Sequence, residues 1–526
     1  RVIVLGAGLA GLRCAQALVR DHGVSKDHVI LLEASTRLGG RIKTDKTFLD
    51  GFSLDLGAEL IHGDETSLYR LAKEKGWEME ELISLAQGDG GPLPADSNDG
   101  FGLFYLGGEK RMLAMDSKDP DFVHLNQYLG SLADLWPAMK FQRMKEDLER
   151  EHIGSRSLSP PSAEAARSAP NGPLQQQTLS LRDGLREAGV GAVMLGVAEA
   201  GYANTVGAAL EDTSLMGTCF LEHEWDVDGD RTFVLKGSLG QVVEELSTGL
   251  ESCIQTGWPV ASVDYSAPGP ATVTCRDGRI ERGTHVVSAL PLSVLQDGDV
   301  AFSPPLPDAK ISAFQRMGLC SVVKVVLKFD RPVLPTLLHG CICSESFIPE
   351  FWFRHMPDLP RGCYTMLAVG FAAGPWADAV TAIKPEDALK RALDQLDDMF
   401  GGRKWLKGGG CTGKGDWEGK ANADSEDPPR HSVSDEGTVE GASSESRRTA
   451  ELPSAAYTGG LVHDWVRDEP FVRGGYSYPR FGFDENTHAD AAAGVNGTLF
   501  FAGEHTNTPT GMTVHAAIDS GERCAS

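Results

Sequence analysis

The chain has 526 residues, 41% of them hydrophobic, and carries 49 basic against 74 acidic side chains for a formal net charge of −25 at pH 7. That length exceeds a single hydrophobic core and suits two domains, while the charge excludes general nucleic-acid binding and favours a cationic partner. No apolar run reaches the roughly 18 residues of a membrane span; the ten cysteines show no CxxC or zinc-like spacing, so they read as reduced thiols in an intracellular, cytoplasmic setting, with the peroxisome or nucleus as alternatives, and no metal site is expected.

In chain order, the first element is a strand, Arg1-Val-Ile-Val-Leu5, that runs into Gly6-Ala-Gly8-Leu-Ala-Gly11 and a helical stretch. Gly6 permits a tight turn, Gly8 lets the backbone approach a pyrophosphate, and Gly11 lets the helix pack close to the strand. The helix start then points free N–H groups at the phosphates. A second strand, about 20 residues on, closes at Glu33, where a carboxylate accepts hydrogen bonds from a ribose diol. The same acid argues against a ribose 2′-phosphate, which would meet like charge. Arg37-Leu-Gly39-Gly40-Arg41 brings a second loop and a fixed cation to the same pyrophosphate. Asp55-Leu-Gly57-Ala58-Glu59-Leu60-Ile-His62 follows.

Helical apolar spacing predicts helices over 68–75, 125–148 and 180–200, so 61–230 reads as mostly helical. Residues 232–246 read as a strand end and a helix, followed by strands at 260–263, 271–275 and around 286. Strands are expected at 321–329 and 364–370, then a helix over 385–400. Residues 154–177, rich in Ser, Pro and Ala, and 407–450, rich in Gly, Ser, Asp and Glu, bury too little surface to offset ordering entropy and are expected to be disordered surface insertions. The chain ends on a strand at 499–501, a turn holding Gly503 and Glu504, and a helix from Thr513 and Val514. It begins without Met and stops soon after that helix begins, as expected of a trimmed domain.

Together these elements resemble the flavin-containing amine oxidases, a superfamily of monoamine oxidases, polyamine oxidases and lysine-specific histone demethylases. The resemblance covers nearly the whole chain outside the two insertions. It is closest over Val286-Val-Ser-Ala-Leu-Pro, Phe302-Ser-Pro-Pro-Leu-Pro307, Gln315 to Arg331, and Trp465 to Tyr478, which look like the polyamine oxidase and histone demethylase branch.

The resemblance implies an α/β architecture with a discontinuous, Rossmann-like FAD-binding domain (1–60, 231–296, 451–526). It also implies an α+β substrate-binding domain with a mixed sheet (61–230, 297–450). It places Val260 against adenine, and Glu504 on a ribityl hydroxyl. Thr513 and Val514, at the last helix start, meet the flavin, where the helix dipole favours negative charge. Gly57, Ala58 and Leu60 line the same cofactor. Lys324 holds a water against flavin N5 in the family, and a histidine at the place of His62 lies beside the substrate amine.

The family motif usually carries Trp where Leu60 stands. Glu59 either meets an ammonium or faces away. Tyr476 stands where monoamine oxidases carry the cysteine that bonds flavin, so the FAD is expected to be non-covalent. Tyr478 resembles the aromatic wall of the amine site. Trp465 and Phe471 look like supporting aromatics.

The implied activity is FAD-dependent oxidation of small cationic amines, most like polyamines, to imine and then aldehyde, with O2 reduced to hydrogen peroxide. The alternatives are a methyl-lysine demethylase, an L-amino-acid oxidase and a flavin-binding scaffold without turnover. Against the first stand a segment at 154–177 too short for the demethylases' helical hairpin and the absence of a chromatin-type module. No motif places an arginine for a substrate carboxylate, and Lys324 with His62 counts against a scaffold. Oligomeric state is not legible.

Overall fold

Apolar runs without alternation need cover on both faces, which a parallel sheet provides. A computed structural model of the chain describes residues 1–82, 101–141, 143, 179–225, 229, 231–266, 269–334, 338–356, 365–401, 404–405, 411–412, 452–508 and 510–526. In it the runs form a five-stranded sheet in the order Ile254–Gln255, Val29–Leu32, Val2–Leu5, His285–Ser288, Leu499–Phe501. Every pair is parallel. Val2–Leu5 is central, and the chain leaves it first to one side and later returns on the other. Its carboxyl end is therefore a topological switch point, where open α/β sheets hold their ligands. The helices Leu9–Arg20 and Val514–Ala525 pack together beside it, so closely that a Cβ on Gly521 would sit 2.2 Å from the Ala10 carbonyl oxygen.

A larger mixed sheet carries the other half of the molecule. Its seven strands run Tyr457–Asp464, Val322–Phe329, Thr365–Ala373, Glu350–Met356, Leu338–Ser344, Phe101–Leu106, Arg111–Ala114. All neighbours are antiparallel except Leu338–Ser344 with Phe101–Leu106. Helix Pro385–Phe400 buries Ala388, Ala392, Leu396, Met399 and Phe400, a stripe at helical spacing, in the same apolar cluster as Val323, Val325, Leu327 and Phe351. The opposite face of the sheet presents Val322, Lys324, Phe371, Glu350 and Trp352.

Several expectations change. Among the described residues, 61–230 are mostly helical, as expected, but Met79–Leu82, Phe101–Leu106 and Arg111–Ala114 are strands, because cross-strand pairing overrides local propensity. The helix expected over 125–148 starts earlier, at Pro120, where Asp119 caps it. The helix expected over 180–200 breaks at Gly189, whose φ of 86° ends Leu181–Glu187. The chain resumes as Ala192–Ala198 and a π-helical turn, Glu199–Ala203. Tyr457–Asp464, grouped by chain order with the flavin-side segment 451–526, is an outer strand of the large sheet, since its backbone groups pair with Val322–Phe329. The insertions 154–177 and 407–450 lie outside the described residues apart from Cys411–Thr412, a two-residue strand. Among the described residues no helix is long and apolar enough to cross a membrane.

Candidate functional site

The glycine turn leaves the first strand with Gly6 at φ 95°. A Cβ on Gly11 would lie 1.9 Å from the Gly6 carbonyl oxygen. Helix Leu9–Arg20 opens from Gly8 with no side-chain cap and no acid in its first turn. Its free N–H groups are thus available to an anion. Gly39 meets this turn, its N–H donating to the Ala7 carbonyl at 2.8 Å. Glu33, at the end of the second strand, accepts from the Ala7 N–H (2.7 Å) through one oxygen and from the Ser35 N–H (2.8 Å) through the other. Each oxygen keeps a lone pair for a ribose diol. Val260 is buried at the start of the strand Val260–Asp264.

Arg41 reaches the last turn of the chain. Its Nη1 donates to Glu504 Oε1 (2.7 Å) and to the Gly475 carbonyl (2.8 Å). Glu504 Oε2 accepts from Ser477 Oγ (2.6 Å) and the Met512 N–H (3.1 Å). Burial alone would raise this carboxyl, but the adjacent Arg41 guanidinium outweighs it and draws the pKa down to about 2. A depressed carboxyl stabilises the fold fully above its unfolded pKa near 4.5 and loses that stabilisation as pH falls towards 2. The shift corresponds to roughly 3 kcal/mol. Acid unfolding followed by circular dichroism should therefore show wild type ahead of Glu504→Gln above pH 5, with the gap closing between pH 4.5 and 2. A constant gap would refute the linkage.

Gly57 lies beneath Arg41, a Cβ there falling 2.0 Å from the Arg41 carbonyl oxygen. The Ala58 N–H donates to that same oxygen at 3.2 Å. Thr513 caps the last helix, its hydroxyl accepting from the Ala516 N–H, and Val514 is the first helical residue. Buried Ser288 Oγ and both ring nitrogens of His505 have no hydrogen-bond partner among the described residues. Unpaired buried polar atoms, an uncapped helix start and glycines where side chains will not fit together suit a bound dinucleotide.

Lys324 lies on an interior strand of the large sheet, paired on both sides, and is 2% exposed. Its Nζ donates to the Asp55 carbonyl (2.9 Å) and to Glu59 Oε2 (2.6 Å), and lies 5.5 Å from the Trp352 ring centre. The other Glu59 oxygen pairs with Arg354. Glu59 thus neither faces away nor stands open to substrate. A carboxylate 3% exposed requires cations, and two of the chain's own supply them. Burial would raise Glu59, but Arg354 and Lys324 prevail and hold it below the usual range. Asp55, whose carboxylate accepts from the Leu239 N–H and Thr44 Oγ1 at 2.9 Å each, is pushed up to about 6 by burial.

His62 ends the short strand Leu60–His62, which pairs with Thr232–Leu235, so Leu60 sits in a small sheet beside the cofactor segment. The His62 ring stacks on Trp225, with centres 6.0 Å apart and 29° between planes. Desolvation, helped by His515, draws its pKa down to about 4. At neutral pH it is an uncharged imidazole, able to accept a hydrogen bond from an amine. Tyr476 donates its hydroxyl to the Thr205 carbonyl (2.6 Å), while its N–H meets Cys320 Sγ at 3.2 Å. Tyr478 covers Gly318, where a Cβ would fall 2.0 Å from its ring. Both tyrosines pack with Trp352, Phe371 and Trp465 in one aromatic cluster.

Trp225, Glu350, Trp352 and Arg354 carry no signal that was read from the sequence, and Asp55 stands in a quoted segment without a role of its own. The run Glu350-Phe-Trp-Phe-Arg354, with charge at both ends of an aromatic strand, is the signal that could have found three of them. Among the described residues no group of three or more His, Cys, Asp or Glu side chains is placed to hold a metal.

Similarity to known proteins follows the same lines. The chain is 26% identical to the peroxisomal N(1)-acetyl-spermine/spermidine oxidase of Bos taurus, over 75% of this chain and 77% of that one. It is 25% identical to lysine-specific histone demethylase 2 of Homo sapiens over 100% of this chain, and spans 53% of that relative's length. Putrescine oxidase bound to putrescine shares the fold with a TM-score of 0.69 at 18% identity, covering 100% of this chain and 97% of that one. Cyclohexylamine oxidase from Brevibacterium oxydans IH-35A does so with 0.70 at 18% identity and the same coverage. The family described as flavin containing amine oxidoreductase matches residues 9–526, so this chain belongs to the flavin-containing amine oxidoreductases and takes FAD as its cofactor.

Proposed function

We propose that the chain oxidises small aliphatic amines, polyamines foremost, with FAD held without a covalent bond and O2 as the final acceptor, yielding imine, then aldehyde, and hydrogen peroxide. The observation that carries this reading is the bond from Lys324 Nζ to the Asp55 carbonyl. It ties the ligand-facing side of the large sheet to the segment that leads into Gly57 and Ala58. FAD, when bound, supplies the redox chemistry by accepting the equivalent of a hydride from the carbon beside nitrogen. The aromatic cluster of Trp352, Phe371, Tyr476 and Tyr478 keeps the reacting amine dry, which favours its neutral form. Neutral His62 accepts a hydrogen bond from the amine. Lys324, tethered by Asp55 and Glu59, keeps an N–H for a water at the cofactor edge.

On this reading the segments 1–60, 231–296 and 451–526, without Tyr457–Asp464, hold FAD in a Rossmann-like unit. Residues 61–230 and 297–450 supply the substrate side, and the enzyme works inside the cell. Tyr476, having no thiol, leaves the flavin unattached; precipitation with acid should release all the yellow colour into the supernatant.

The match to histone demethylase 2 along the full chain supports a second reading, oxidation of methyl-lysine. Anaerobic mixing with spermine, spermidine, their acetylated forms, a monoamine and a methyl-lysine peptide separates the two. Bleaching of the flavin band by polyamines is the expected result; bleaching by the peptide alone would establish the second reading, and none at all would refute both.

A further inference from the structure

The large sheet lines up three side chains that no motif connects. Lys324 stands opposite Phe371, and Phe371 stands opposite Glu350 on the next strand. Directly opposed residues share a face, and neighbouring strands lie about 4.8 Å apart, so Glu350 is about 10 Å from Lys324 across the floor of the site. Trp352, two residues beyond Glu350, shares that face. Its ring stacks on Phe371, with centres 5.2 Å apart and 16° between planes, and meets the Lys324 ammonium.

Glu350 is 7% exposed, and its bonds come from neutral donors. Oε1 accepts from Trp352 Nε1 at 2.7 Å, and Oε2 accepts from Asn204 Nδ2 at 3.2 Å. Asn204 is itself fixed, because its Oδ1 accepts from the Ala373 N–H at 2.8 Å, which aims its amide donor at Glu350. Among the described residues no Lys, Arg or His lies within ion-pair distance of Glu350. Glu59, the other buried acid on this floor, has two cations of its own. A carboxyl buried among aromatic rings without a cation is costly to keep, and desolvation pushes this one up to about 7. Its burden falls when a cation arrives, and the surrounding rings also favour a cation.

We propose that Glu350 is the counter-ion for a second, unreacting ammonium of the substrate, so that the site selects diamines and polyamines over monoamines. The inference rests on the amine-oxidation reading for its biological use. Trp352 and Phe371 line the path between the two ends of such a substrate and pack its methylene groups. The contact is one of binding and specificity; no bond is made or broken at Glu350.

Calorimetry on dithionite-reduced holoenzyme measures amine binding without turnover. Wild type, Glu350→Gln and Glu350→Asp would each be titrated with 1,4-diaminobutane and with butylamine, two ligands differing only in the second nitrogen. Wild type should prefer the diamine, and Glu350→Gln should reduce the diamine-to-butylamine affinity ratio by about 30-fold or more. Glu350→Asp should recover part of it. A ratio unchanged in Glu350→Gln would overturn the proposal, since glutamine still accepts from Trp352 and preserves a purely structural role. Where that variant fails to retain FAD, wild type decides alone: equal affinity for both ligands overturns the proposal, and a marked diamine preference supports it. Diamine selectivity lost in Glu350→Gln, in an enzyme whose flavin no amine reduces, would uphold this site while refuting amine oxidation.

Discussion

Gly11→Val should yield a protein that neither binds flavin nor folds stably. The Cβ that any other residue adds would lie 1.9 Å from the Gly6 carbonyl oxygen and 3.1 Å from its carbon. Both are backbone atoms of the turn itself, so no side chain can swing aside. The helix would have to move off the strand, and it is also clamped from behind by Gly521, whose Cβ would meet the Ala10 carbonyl at 2.2 Å. Ordinary overpacking costs about 1–3 kcal/mol because side chains absorb it; displacing a helix between two backbone contacts should exceed that. The same movement withdraws the helix N-terminus from the pyrophosphate. Flavin absorbance per mole of purified chain and the midpoint of thermal unfolding measure both effects. A variant that purifies yellow and melts with wild type would refute the placement of this turn.

Lys324→Met should cost about 2–4 kcal/mol of stability and at least about a hundredfold in amine turnover. Methionine approximates the volume of lysine without its charge. It leaves the Asp55 carbonyl without its donor and Glu59 with Arg354 alone. Breaking a buried pair from one side is costly because the remaining charge stays buried. Adding Glu59→Gln removes that stranded carboxylate, so the double variant should regain part of the stability. It should not regain turnover, because the N–H proposed to hold a water at the cofactor edge is still missing. Urea unfolding and stopped-flow flavin reduction and reoxidation separate the two effects. Recovery of turnover together with stability would make Lys324 a structural residue only.

Both predictions begin with features visible in the sequence, yet only one could be argued from it. The glycine turn is local: three glycines, a strand before and a helix after specify one backbone path, so Gly6, Gly8, Gly11 and Glu33 stand where spacing placed them. Lys324 was legible as a charge inside an apolar strand, but its partners were not. Glu59 lies 265 residues away in the chain and Asp55 a similar distance. The run 350–354 passed unremarked because its meaning depends on register. Only the pairing of Phe371 with both Lys324 and Glu350 puts those two charges on one floor.

The same contrast holds for the architecture. Sequence by itself determined the glycine turn, the final strand and helix, and the helix Pro385–Phe400, whose bounds match expectation. These rest on periodicity and turn chemistry within a few tens of residues. Tertiary structure alone decided that Phe101–Leu106 is a strand, that Tyr457–Asp464 joins the large sheet, and that Glu59 serves Lys324 and Arg354. A strand's hydrogen bonds and a buried charge's counter-ions must come from elsewhere in the chain, and a linear pattern cannot name a partner that only folding brings near.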